Sequence, residues 1–339
     1  MLFPPLPTVS SSMEAKDVDS VNSLGRTQPD GASRTSQVEV AGDCHAHLPF
    51  EIPSAVVLSD PSLFVLRDTA NDVYRRINSD PSYSNQFIIV SNVSQPLQEL
   101  LAGDRNPLEV TCRLTLDKQH QKVVIRIMPS NAHERVTRSF SNKLVVKLFE
   151  MGIDPDDYTM NTATRYSGRT CDKEADESLT PSRNPPEGND WPSLVIETGL
   201  SESEAQLRTD AHWWFSNSGY QVNTVILFHI RRSPERRVIL KVYKLRPITP
   251  RITRGLQAEV DRSLLSNRTT PQTESPTVLR PHLSDEEIIV TSISVENAPL
   301  VLEFESVMRR PPTPSTMERD ILFTAEDLAA CCRHALQIA

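Results

Sequence analysis

Along "LRDTANDVYRRIN" (Leu66 to Asn78), Val73 and Ile77 fall four positions apart, which predicts a short helix. "QFIIVSNV" (Gln86 to Val93) is an apolar run rich in β-branched residues and reads as a strand. "LEVTCRLTL" and "KVVIRIMP" flank the polar turn "DKQHQ" and read as a hairpin. The strongest helical stripe follows. Val136, Phe140, Leu144, Leu148 and Met151 recur at spacings of four and three, between Ser130 as N-cap and Gly152 as terminator. "DDYTMNTATRYSG" alternates Tyr158, Met160 and Thr162 against polar neighbours, the period of a half-buried strand. "WPSLVIETG" is a short buried strand. Ser201 and Glu204 have capping-box spacing ahead of a helix in which Leu207, Ala211 and Trp214 face one way.

"NTVILFHIRRSPERRVILKVYKL" reads as two strands around the turn "RRSPERR". "EEIIVTSISV" and "PLVLEFESVM" are expected to form a last strand pair. "TAEDLAACCRHALQIA" is expected to be a terminal helix, with Thr324 as cap and Asp327 at its capping-box position. The predicted class is α/β, a mixed central sheet flanked by helices with N- and C-terminal extensions. Five segments follow. Residues 1–48 form a polar arm without apolar period, expected to be disordered because it buries too little to offset its ordering entropy. Residues 49–128 form an N-terminal extension, 129–246 the core, 247–285 a polar linker or loop, and 286–339 a C-terminal strand pair and helix.

Composition narrows the function classes. Hydrophobic residues make up 38%, with 26 prolines and only 10 glycines, as expected of a folded core carrying long polar segments. The net charge of −8 supplies no global basic field, so any contact with nucleic acid has to be local. The five cysteines (Cys44, Cys112, Cys171, Cys331 and Cys332) lack zinc-type spacing and are expected to be reduced thiols of an intracellular protein. The opening "MLFPPLPTVSSSM" lacks the positive start of a signal peptide, and no apolar run reaches the length of a membrane span. Asn92 and Asn267, although in N-x-S/T contexts, therefore carry no weight.

The central motifs carry a resemblance. "AHER" opens the long helix, "KEADESLTP" and "WPSLVIETGLSES" follow, and "LRTDAHWWFSNSG" precedes the "VILFHI" strand. Together these resemble the PD-(D/E)XK nuclease superfamily, the restriction-endonuclease-like fold, and more closely a large fungal group carrying that fold. The resemblance spans roughly Ser130 to Leu245, about a third of the chain. It implies a Mg²⁺ site made by Asp176, in "EAD" where the family has "PD", and Glu197 in "IET", completed by Glu134 on the first helix. Mg²⁺ is a hard cation that takes carboxylate oxygens, water and phosphate, and it lowers the pKa of a bound water for attack on a phosphodiester.

The family's lysine two residues after the acidic one is Gly199 here. Lys173 or Arg208 would then supply the missing positive charge, with arginine able to stabilise charge but not to act as a base. Each position also has a plain structural account. Glu197 can face a helix N-terminus, Asp176 can be a solvated loop residue, and Glu134 sits where first-turn acids are common. Trp213 and Trp214 can stack bases or fill a core, and Arg231, Arg232, Arg236 and Arg237 can touch phosphates or form a solvated hairpin tip. Two functions remain open: a Mg²⁺-dependent DNase, or a non-catalytic interaction or regulatory module on a degenerate nuclease fold.

Overall fold

The computed structural model describes residues 52–337, apart from 53, 81, 84, 104, 118–119, 129–131, 169–170, 183–190, 201–203, 233, 249–277 and 284–286. The polar arm expected over residues 1–48, most of the segment expected over 247–285, and the caps expected at Ser130 and Ser201 lie outside the described residues.

Helix α1 (Leu63–Ser79) buries Leu66, Ala70, Val73 and Ile77, one stripe at helical spacing, and Ser62 caps it by accepting from the Val65 N–H at 3.3 Å. A short helix α2 (Gln95–Ala102), unmarked by the apolar pattern, buries Leu97 and Leu101. Helix α3 (Ala132–Glu150) follows the predicted stripe, burying Val136, Phe140, Leu144 and Leu148, and Gly152 ends it at φ +81°, a left-handed position that suits glycine. Helix α4 spans Glu204–Asn217.

The strands are β1 (Val56–Ser59), β2 (Phe87–Ser91), β3 (Cys112–Asp117), β4 (Lys122–Ile127), β5 (Tyr158–Thr162), β6 (Arg165–Ser167), β7 (Cys171–Glu174), β8 (Glu177–Pro181), β9 (Leu194–Leu200), β10 (Thr224–Arg231), β11 (Arg237–Ile248), β12 (Val278–Leu283), β13 (Ile288–Val290), β14 (Val295–Glu296), β15 (Leu300–Leu302) and β16 (Ile321–Phe323). One sheet runs β1-β2-β4-β3-β7-β6 and a second runs β14-β13-β11-β10-β9-β8-β5, with β12 on β11. β1–β2 and β9–β10 are parallel and the other pairings antiparallel, so both sheets are mixed. The architecture is α/β, mixed sheets flanked by helices.

All seven residues of β9 are buried, which explains its unbroken apolar run. Leu194, Ile196 and Leu200 join the core of Val136, Phe140 and Leu144 on α3, whereas Val195 joins the core of Leu207, Ala211 and Trp214 on α4. The two helices thus cover opposite faces of the second sheet, and period-two alternation assigns every β9 side chain to one or the other. No helix among the described residues is long and apolar enough to cross a membrane.

Three expected strands divide differently. "DDYTMNTATRYSG" is not one strand but β5 and β6, in different sheets, because Ala163 turns the chain at φ 52°. The last strand pair also differs. "EEIIVTSISV" folds on itself as β13–β14, "LVL" becomes β15 and pairs with β16, and "FESVM" is a short helix, α5 (Phe304–Met308), burying Phe304, Val307 and Met308. The apolar residues of "FESVM" fall at helical spacing, and that period outweighs the strand-like run before it. The terminal helix α6 (Ala325–Leu336) begins with the predicted Thr324–Asp327 capping box.

Candidate functional site

β7 belongs to the first sheet and β8 to the second, so the chain changes sheets at Ala175 and Asp176. The β8–β9 register pairs Glu177 with Ile196, and one step further Asp176 stands opposite Glu197. Both carboxylates are enclosed, at 2% and 0% exposure. Between them lies the guanidinium of Arg126, from β4 of the first sheet. Its Nη2 donates to both oxygens of Asp176, at 2.9 and 3.0 Å, and to Oε2 of Glu197 at 2.9 Å.

The remaining lone pairs take other donors. The Thr198 backbone N–H reaches Oδ2 of Asp176 at 2.8 Å, and Arg113 Nε lies 3.3 Å from Oδ1. His133, on α3, places Nε2 3.2 Å from Oδ2 of Asp176 and also bonds the Thr198 carbonyl. A carbonyl only accepts, so Nε2 carries the proton. The Trp214 indole N–H donates to Oε1 of Glu197 at 2.9 Å. Lys173 Nζ lies 3.5 Å from that same oxygen and 2.9 Å from Asp210 on α4.

Charges buried this deeply are costly unless paired and hydrogen-bonded. The pairing here is balanced: Asp176, Glu197 and Asp210 meet Arg126, Arg113 and Lys173. Burial alone would push the Asp176 carboxyl up, but Arg126, His133 and Arg113 outweigh it and hold the group well below the usual carboxylate range. Burial likewise works to lower Lys173, and Asp210 and Glu197 outweigh it and raise its pKa. Both shifts favour the charged forms.

The structure brings Asp176, Glu197 and Lys173 together. Glu134 stands apart from Glu197: it is exposed in the first turn of α3, whereas Glu197 follows the β9 alternation to the α4 face, where Trp214 meets it. Arg208 is exposed on α4, and its charge acts on His212 one turn further along. Trp213 and Trp214 are both core residues, at 2% and 0% exposure, so neither presents a face for a base. Trp213 donates instead to Cys171 Sγ at 2.9 Å. At the β10–β11 tip, Arg232 donates to the carbonyls of Ile77 and Tyr83 at 2.7 and 2.8 Å, and Arg236 to that of Gln337. Those two arginines tie the hairpin to α1 and to the end of α6.

Beside the clamp is a cavity of about 220 Å³ bordered by Arg113, His133, Glu134, Arg138, Asp176 and Glu177. Glu177 is buried, with Oε1 bonded to Arg138 at 3.0 Å and to the Thr162 hydroxyl at 3.3 Å. Burial pushes its carboxyl up, and Arg138 offsets this only in part.

No family model matches the chain, and no curated protein matches it. Among solved structures, the chain is similar to a candidate nuclease of family DUF820 from Anabaena variabilis, over 69% of this chain and 97% of that one, at 11% identity and a TM-score of 0.37. A TM-score of that size carries no conclusion about activity.

The donor set itself tests whether Mg²⁺ fits. Each of the four oxygens of Asp176 and Glu197 already faces a protein donor, and a guanidinium fills the space between them. The pair as placed therefore does not fit a metal ion. Among the described residues no group of three or more His, Cys, Asp or Glu side chains is placed to share one.

Arg126, Arg113 and His133 were not singled out in the sequence. Arg126 had a signal: a charged residue inside the apolar run "KVVIRIMP" demands a buried partner. His133 stands next to Glu134 in "AHER", and helical geometry turns adjacent residues to different sides, His133 inward and Glu134 outward. Arg113 had no sequence signal, because its role comes from a strand register.

Proposed function

We propose that this protein is a non-catalytic interaction module on a nuclease-like α/β frame, in which the acidic pair of a metal site has become an internal charge clamp between two sheets. The observation that carries this reading is the Arg126 guanidinium, whose Nη2 lies 2.9 Å from Asp176 and 2.9 Å from Glu197. A positive charge on β4 does there what a divalent cation would do, and it cannot be exchanged with solvent. Gly199 supports the same reading, since the lysine of the nuclease pattern is missing. Lys173 does not replace it as a base. It is held charged between Asp210 and Glu197, and a charged ammonium has no lone pair with which to accept a proton. Among the described residues Cys112, Cys171, Cys331 and Cys332 form no disulfide, which suits an intracellular setting.

A second reading, a Mg²⁺-dependent nuclease acting on DNA phosphodiesters, is favoured by one observation: Glu134, Asp176 and Glu177 border a single cavity. It requires Arg126 to leave the clamp. Purified full-length protein incubated with supercoiled plasmid DNA and Mg²⁺ or Mn²⁺ separates the two. The module reading expects no nicking above that of Glu197→Gln protein. Metal-dependent nicking by the wild type that Glu197→Gln abolishes would establish the nuclease instead.

A further inference from the structure

We propose that the cavity beside the clamp binds one guanidinium or alkylammonium group, with Glu177 as its buried acceptor and Glu134 as its exposed one. The inference rests on the module reading, for which it names a ligand chemistry. Both partners of Glu177, Arg138 and Thr162, bond Oε1. Oε2 has no hydrogen-bond partner among the described residues, although Glu177 is only 2% exposed and borders the cavity. A buried carboxylate oxygen without a donor is costly, and a ligand N–H supplies one.

Charge points the same way. Of the carboxylates that border the cavity, Glu177 keeps one oxygen without a donor and Glu134 is exposed, so an N–H donor fits it. A cation is attracted by Glu134 and Glu177, whereas an anion such as phosphate is repelled by them. Asp176 has no capacity left for a ligand, because both its oxygens are engaged inside the clamp. That leaves Glu134 and Glu177. The volume of about 220 Å³ accommodates the end of an arginine or lysine side chain or a small free amine, but not a folded element. These two sources share one chemistry, a flat or tetrahedral N–H donor carrying a single charge.

Isothermal titration calorimetry on the full chain tests the site with named probes: N-acetyl-arginine amide, N-acetyl-lysine amide, agmatine, and N-acetyl-norleucine amide as an uncharged control. The two cationic amides or agmatine are expected to bind, and the norleucine compound is not. Glu177→Gln and Glu134→Gln are each expected to weaken binding by about tenfold. Glu134 is exposed, so Glu134→Gln keeps the test valid even if Glu177→Gln fails to fold. A Gly-Gly-Arg-Gly-Gly peptide binding more tightly than agmatine points to a partner polypeptide, and the reverse order to a free amine. Either order supports a cation site. No heat from any cationic probe, or equal affinity in wild type and Glu134→Gln, overturns it. Metal-dependent DNA cleavage would overturn the module reading and leave the calorimetric result standing, so the two failures are distinguishable.

Discussion

Arg113 and Arg126 are register partners on β3 and β4, and both reach Oδ1 of Asp176, at 3.3 and 2.9 Å. Two like charges directly opposite on neighbouring strands repel. Here a carboxylate from the crossover between the sheets lies against both and turns the repulsion into a joint. Because Arg126 also holds Glu197 on β9, the joint spans the first sheet and the second.

Arg126→Met keeps much of the side-chain volume and removes the charge. It leaves Asp176 and Glu197 buried and short of a cation, a situation that costs about 3–5 kcal/mol. Urea denaturation should show that loss. A loss below about 1 kcal/mol would mean that the clamp does not hold the sheets together.

Much of the frame could be read from the sequence, and the reason is periodicity. The α3 stripe, the β3–β4 and β10–β11 hairpins and the Thr324 capping box each follow from short-range patterns that local geometry enforces. Asp176, Glu197 and Lys173 stood out as chemically unusual, and the structure places them side by side. What could not be read was their counter-charge. Arg126 is 50 residues from Asp176 and 71 from Glu197, and only the register between strands of two sheets brings them together. "FESVM" failed for a local reason, since five residues fit either period and packing of Phe304 and Val307 decides.

Arg126, His133 and Arg113 hold the Asp176 carboxyl below the usual carboxylate range in the folded protein. Such a group stabilises the fold above its unfolded pKa, and the contribution is lost as pH falls through the folded value. Stability should therefore decline as pH drops below about 4. Asp176→Asn, less stable at neutral pH, should show a shallower acid decline. Parallel pH–stability curves for the two proteins would exclude Asp176 as a source of the acid sensitivity.

Trp214→Phe fills most of the same space but leaves Oε1 of Glu197 without the indole donor that now lies at 2.9 Å. Loss of one hydrogen bond to a buried charged group should cost about 1–3 kcal/mol. Thermal melting of the variant measures it. An unchanged melting temperature would show that Lys173, at 3.5 Å, satisfies that oxygen alone.

The central claim is that Arg126 occupies the place of a cation between Asp176 and Glu197. Titration of Mn²⁺ into the wild-type protein, followed by the electron paramagnetic resonance signal of the free ion, tests it most directly. The account predicts that the free-ion signal rises as it does in buffer alone, with no stoichiometric site. A one-to-one loss of signal in the wild type that disappears in Glu197→Gln would contradict it.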